Sequence, residues 1–161
     1  MTNRICSFPP VSRPDARILI LGSVPGQASL DANQYYAHPR NLFWRIMGEL
    51  TGAGLEVLYE QRMEILKSKQ ITLWDVLQSC VREGSLDADI EEEVANDFPG
   101  FFKSHPQITH IFFNGQKAFK TYKSCDFVSS ATLHVLPSTS PAHAALSFDD
   151  KLQMWSKILS V

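Results

Sequence analysis

Ala16-Arg17-Ile18-Leu19-Ile20-Leu21-Gly22-Ser23-Val24-Pro25-Gly26, residues 16–26, decides the fold of this chain. Ile18 to Leu21 has no polar alternation, so a strand spanning Ala16 to Leu21 is expected to be covered on both faces, as in a parallel sheet. The run stops at Gly22, and two glycines with a stiffening proline make a tight turn that a flat ligand can approach closely. From there to Trp44 the chain has little helical or strand period. It is crowded instead with aromatic, amide, imidazole and hydroxyl groups, the composition of a site.

On the C-terminal side, Pro39 precedes a predicted helix with apolar positions Leu42, Phe43, Ile46, Met47 and Leu50, closed by Thr51-Gly52. A second helix is expected from Leu55 to Ser68, and a strand from Ile71 to Leu77. Ser85-Leu86-Asp87 is read as a helix start, with Ile90, Val94 and Phe98 recurring every fourth residue until Pro99-Gly100 interrupts. A third strand, Thr109 to Phe113, leads through Asn114-Gly115 into a helix from Gln116 to Lys123. A fourth, Thr132 to Leu136, leads through Pro137–His143 into a helix capped by Ser147-x-x-Asp150 and buried through Leu152, Trp155, Ile158 and Leu159. The proline-rich residues 1–15 are expected to form an extended N-terminal arm. Alternating strands and helices predict one α/β domain over residues 1–161, a three-layer α/β/α sandwich around a mostly parallel four-stranded sheet. Right-handed crossovers put all strand C-termini on one edge, where Ser23–Gly26, Asn114–Gln116 and Pro137–His143 are expected to converge.

The 161 residues are 44% hydrophobic and 20% charged, and no apolar run reaches the ~18 residues that span a bilayer, so no membrane role is expected. Met1 to Cys6 lacks a signal-peptide core, which points to the cytoplasm with its nucleoid, or to the nucleus in a eukaryote. Cys6, Cys80 and Cys125 are isolated and the five histidines scattered, so no metal is expected. Dinucleotide, P-loop and nucleophile-elbow motifs are missing, so no cofactor is expected. Net charge is −2, yet residues 83–97 hold seven acidic side chains and no basic one, leaving the remainder with 15 basic against 10 acidic. That division is compatible with DNA on the face away from the acidic segment.

Gly-Ser-x-Pro-Gly after the first strand, His-Pro-x-Asn-x-Phe-Trp opening the next helix and Leu-Pro-Ser-Thr-Ser-Pro-Ala after the last strand together resemble the uracil-DNA glycosylase superfamily, and within it the hypoxanthine-DNA glycosylase branch. The likeness extends to Leu73-Trp74-Asp75-Val76 and to residues 82–87. It implies a monomeric, monofunctional enzyme of base excision repair. Such an enzyme binds double-stranded DNA, flips out a deaminated base, here hypoxanthine from deoxyinosine, and hydrolyses its N-glycosidic bond. A uracil or thymine-mismatch glycosylase and a non-catalytic damaged-DNA-binding module are the alternatives.

The resemblance also distributes roles. Relatives often carry a water-positioning Asp or Asn in the first motif, where this chain has Ser23 and Val24; the branch assigns the role to the asparagine of His-Pro-x-Asn, here Asn41. An amide oxygen can accept a hydrogen bond from water and orient its lone pair without being a strong base; capping the first helical turn is the other reading of Asn41. The base pocket is expected to comprise Gly22, Ser23, Pro25, Gly26, Tyr35, Tyr36, His38, Phe43, Asp75 and Asn114. One of the two tyrosines is expected to stack on the base, while Trp44 packs in the core. Asn114 is read either as pairing with hypoxanthine O6 and N1–H or as a helix cap, with Gln116 a lesser candidate. Ser138, Thr139, Ser140, Pro141 and His143 are expected to bind DNA, and Lys117, Lys120 and Lys123 to decorate a helix.

Overall fold

The computed structural model describes residues 4–84 and 86–161. In chain order, β1 is Arg4–Cys6, β2 Ile18–Gly22, α1 Gln27–Ala32, α2 Phe43–Thr51 and α3 Tyr59–Ser68. β3 (Ile71–Asp75), β4 (Leu77–Val81), β5 (Glu91–Ala95) and α4 (Phe98–Ser104) follow. β6 (His110–Asn114), α5 (Gln116–Lys123), β7 (Thr132–Leu136) and α6 (Phe148–Trp155) complete the chain.

The main sheet has the order β3-β2-β6-β7, with every pair parallel. All five residues of β2 are buried, as the unalternating Ile18–Leu21 run requires. Its side chains divide between two cores. Ile18 and Ile20 join Phe43, Trp44, Ile46, Met47, Leu66 and Trp155, from α2, α3 and α6. Leu19 and Leu21 join Trp74, Phe98, Phe101, Ala118 and Tyr122, with α4 and α5 on the opposite face. This is the expected α/β/α sandwich. The sheet begins at β2 and turns both ways from it, so the strand order reverses between β2 and β6.

Four expectations need correction. The arm expected over residues 1–15 is, in its described part from residue 4, tied into sheet pairing: β1 pairs antiparallel with β4, and Val11 bridges Leu73. The strand expected over Ile71–Leu77 ends at Asp75. Val76 and Leu77 still donate to Gly22 O and Ser23 O (2.8 and 3.1 Å), and the chain then bends into β4 of a separate three-stranded sheet, β1-β4-β5. The acidic segment is a strand: residues 87–89 form one 3-10 turn and Glu91–Ala95 pairs with β4. A spacing of four is also a multiple of two, so Ile90, Val94 and Phe98 fit one face of a strand as well as of a helix; Ser85, the proposed start, lies outside the described residues. Pro99-Gly100 does not interrupt a helix but lies in the first turn of α4, where proline is tolerated, and Asp97 accepts from Gly100 N (3.1 Å).

Smaller shifts are local. The second helix starts at Tyr59 rather than Leu55. Ser147 caps α6 by accepting from Asp150 N (3.1 Å), as the capping pattern requires, but Leu159 is exposed. The six-residue α1 was not expected, being too short for an apolar period to show.

Candidate active site

A cavity of about 1090 Å³ opens at the C-terminal edge of the main sheet, over the reversal between β2 and β6. Its floor is the turn Gly22–Gly26. Arg82, 3% exposed, donates from Nη2 to Pro25 O (2.7 Å) and from Nε to Gly84 O (2.8 Å), fixing that turn from below. Ser23 Oγ donates to Asp87 Oδ1 (2.9 Å), tying the floor to the loop after β4. Val76 N and Leu77 N hold the carbonyls of Gly22 and Ser23.

One wall is aromatic. Tyr35 is buried: its OH donates to Pro9 O (2.9 Å), its N–H to Tyr59 OH (2.9 Å), and its carbonyl accepts from Trp44 Nε1 (2.8 Å). The next residue, Tyr36, has φ 55°, a left-handed conformation that costs a non-glycine residue about 1–2 kcal/mol. Alternation is thereby broken, and both tyrosines line the cavity. Phe43 does not line it. Fully buried, it stacks on Tyr36 with ring centroids 4.1 Å apart, so its expected place in the base pocket is corrected to a backing for that ring.

His38 and Asn41 line the same cavity. His38 Nδ1 accepts from Arg40 N (3.0 Å) and its carbonyl from Asn41 N (2.9 Å), which makes His-Pro-Arg-Asn a tight turn. Asn41 Oδ1 accepts from Phe43 N (3.0 Å) at the start of α2. The side chain therefore holds the first N–H of α2, whose N-cap is Leu42, and lines the cavity at once, its orientation fixed by one lone pair while the other stays uncommitted among the described residues.

Asp75 ends β3 directly opposite Gly22 in the register. A Cβ added at Gly22 would lie 2.7 Å from Asp75 Oδ1 and 2.9 Å from Tyr36 OH, so the strand needs glycine there to leave the carboxyl and phenol room. Asp75 Oδ2 is buried and has no hydrogen-bond partner among the described residues. Burial, and then the nearby Asp87 carboxylate, push the Asp75 carboxyl up to about 7. Burial likewise raises the phenols of Tyr35 and Tyr36, so both stay protonated. Gly22→Ala is expected to destabilise the fold by about 1–3 kcal/mol through overpacking and to narrow the cavity; urea denaturation of the variant measures it.

The remaining wall is the loop after β7. Asn114 neither lies free nor caps α5: its Nδ2 donates to Thr139 Oγ1 and its Oδ1 accepts from Thr139 N, both at 2.9 Å. Gly115 (φ 97°) lets the two strand ends meet, its Cβ position lying 3.1 Å from Ser138 Cβ. Thr139, expected as a DNA contact, is 1% exposed and also accepts at its carbonyl from Leu42 N (3.0 Å); it is a tie inside the site rather than a surface contact. Ser138 Oγ accepts from Ser140 N, Ser140 Oγ from Ala142 N, and Ser138, Ser140, Pro141 and His143 all line the cavity.

Sequence reading missed Asp87 and Lys151, and it left Lys117 as mere decoration, although Lys117 lines the cavity and pairs with Glu93. Lys151 is 2% exposed, lines the cavity and donates to the His143 carbonyl, and burial lowers its ammonium pKa. Its signal was present: Lys151, Trp155 and Ile158 fall on one helical stripe.

The Uracil DNA glycosylase superfamily profile matches residues 9–159. A hypoxanthine DNA glycosylase of Methanosarcina barkeri is 43% identical over 69% of this chain and 71% of its own length. A protein of the same name from Methanosarcina acetivorans is 40% identical over 87% and 89%. The solution NMR structure of a Methanosarcina acetivorans protein, described as a candidate uracil DNA glycosylase, superposes with a TM-score of 0.84 at 37% identity, covering 96% of each chain. With its parallel sheet, its cavity over the strand-order reversal and this match along nearly the whole sequence, the chain belongs to the uracil DNA glycosylase superfamily and is a DNA glycosylase.

Proposed function

We propose that this glycosylase releases hypoxanthine from deoxyinosine in double-stranded DNA by a monofunctional, hydrolytic route. The observation that carries the reading is the convergence of Asn41, Tyr36 and Asp75 on one cavity at the sheet edge. The relatives named hypoxanthine DNA glycosylase support it. In this reading the base leaves the stack and lies against Tyr36, whose ring is backed by Phe43. Asn41 Oδ1, oriented by Phe43 N, accepts a hydrogen bond from the attacking water and directs it at the anomeric carbon as the glycosidic bond breaks. The Ser138–His143 loop holds flanking phosphates through the Ser138 and Ser140 hydroxyls, whose O–H groups remain free to donate while their oxygens accept from the loop's own N–H groups, and this needs no large positive field.

The test is incubation with an end-labelled deoxyinosine duplex followed by alkali. Strand scission only after alkali is expected. Its absence, alongside cleavage of a deoxyuridine duplex, would replace hypoxanthine by uracil. Scission without alkali, with a borohydride-trapped adduct lost in Lys151→Ala, would overturn the hydrolytic route in favour of an imine on that lysine. Leu146, 39% exposed at the cavity rim, is suited to fill the gap left by the base. Leu146→Ala is expected to slow release from duplex about tenfold while leaving single-stranded substrate within twofold, reflecting a few kcal/mol of unstacking cost.

A further inference from the structure

Two ammonium groups line the cavity, those of Lys117 and Lys151. Lys117 is paired with Glu93. Lys151 is 2% exposed and forms no ion pair with a carboxylate among the described residues; its Nζ donates instead to the His143 carbonyl (2.5 Å). A buried ammonium without a counter-charge lowers stability, and an apolar side chain of similar length would fill the space at less cost. Packing alone therefore does not account for a lysine here. The loop that it holds is drawn inward at three carbonyls: Trp155 Nε1 donates to Pro137 O (2.9 Å), Leu42 N to Thr139 O (3.0 Å) and Lys151 Nζ to His143 O. A trans peptide points its N–H away from its carbonyl, and the described residues contain no cis peptide bond. The Ala144 N–H thus points away from Lys151. It belongs to an exposed residue that lines the cavity, and it meets no acceptor among the described residues.

We infer that Lys151 is a positioning residue for the DNA grip: through the peptide group between them it aims the Ala144 N–H at a backbone phosphate and lends that donor its charge. This rests on the glycosylase reading of the cavity and names the buried cation that serves its grip. An ammonium that donates to a carbonyl polarises the amide, and the N–H at the opposite end becomes a stronger donor. The charge does not have to reach the surface. A phosphate seated at the Ala144 N–H supplies the counter-charge that Lys151 lacks in the free protein, and salt screens a partly buried pair less than an exposed one. Burial is what lowers the ammonium pKa of Lys151, and an arriving phosphate opposes that shift by favouring the charged form. An ammonium committed to the His143 carbonyl also has no lone pair with which to attack the sugar, in keeping with the hydrolytic route.

The experiment is an anisotropy titration of a tetrahydrofuran abasic-site duplex and of the matching undamaged duplex, from about 50 to about 200 mM salt, for wild type, Lys151→Met and Lys151→Arg. Single-turnover release from a deoxyinosine duplex is measured alongside. Lys151→Met is expected to bind both duplexes about tenfold more weakly and to reduce the slope of log affinity against log salt by about one. Its urea midpoint should equal or exceed that of wild type, because an unpaired buried charge is gone. Release at saturating protein should change by less than about threefold, because Thr139 rather than His143 carries the tie to the Asn41 turn. Lys151→Arg keeps the charge and the donor and should keep the salt slope. Binding by Lys151→Met within about twofold of wild type, or weaker binding with an unchanged slope, overturns the inference. A urea midpoint below that of wild type makes the ammonium a structural tie and overturns it too, as does a Lys151→Arg protein with the reduced slope. Absence of base release by wild type overturns the functional reading, and it is seen in a measurement separate from the binding that decides Lys151.

Discussion

Asn41→Ala is expected to lower single-turnover base release by about 10²–10⁴-fold, the range for losing a group that positions and polarises a reacting water. DNA affinity should change by less than about threefold, because phosphate contacts carry most of the binding. The same substitution removes the acceptor for Phe43 N, a helix-start hydrogen bond worth about 1 kcal/mol. That loss is too small to unfold a domain with this core, so activity and folding separate. Asn41→Asp restores the acceptor, and a carboxylate can hold water at least as well as an amide. Recovery of the melting temperature and of most of the rate in Asn41→Asp, against loss of rate in Asn41→Ala, is the expected pattern. Normal turnover in Asn41→Ala would remove the residue from the chemistry.

A second large effect is expected in stability against pH. Burial, and then the Asp87 carboxylate, push the Asp75 carboxyl of the folded chain up to about 7, against an ordinary carboxyl value of 3.8 once the chain unfolds. Between those values the unfolded chain has released the proton and the folded chain still holds it, so stability falls as pH rises through this window and the loss is complete above about pH 7. About three units at 1.36 kcal/mol each set an upper limit of about 4 kcal/mol. Asp75→Asn has no proton to lose. In urea denaturation at pH 5 and pH 8.5, which span about two of those three units, wild type should lose up to about 3 kcal/mol more than the variant, other groups titrating alike in both. Equal losses would place the carboxyl in a solvated setting that its burial contradicts.

Much of this was legible in the chain. Ile18–Leu21 announces a doubly covered strand because a buried sheet tolerates no polar alternation, and α5 and β7 coincide with their expected ranges. The three strand ends meet at one edge because parallel crossovers leave them no other place. What failed turned on distant pairings and on backbone conformations that a local period does not carry. Glu91–Ala95 pairs with β4 through a contact that no local period encodes, and a spacing of four does not separate strand from helix. Phe43 and Tyr36 stack because Tyr36 adopts φ 55°, which composition cannot announce. Asn114 and Thr139 are 25 residues apart, and only the fold shows that each uses its polar groups on the other.

That last pair has a mechanical side. Thr139 is bonded through its side chain and its amide to the end of β6, and through its carbonyl to Leu42, the residue after Asn41. In the proposed roles, the strip that would grip the sugar-phosphate backbone and the turn that would aim the water are thus bolted to one residue. A shift of the grip on docking is a shift of the aim, so a poorly seated duplex leaves the water misdirected. Fidelity of cleavage in this enzyme then begins with how the strand is held, before the base itself is inspected.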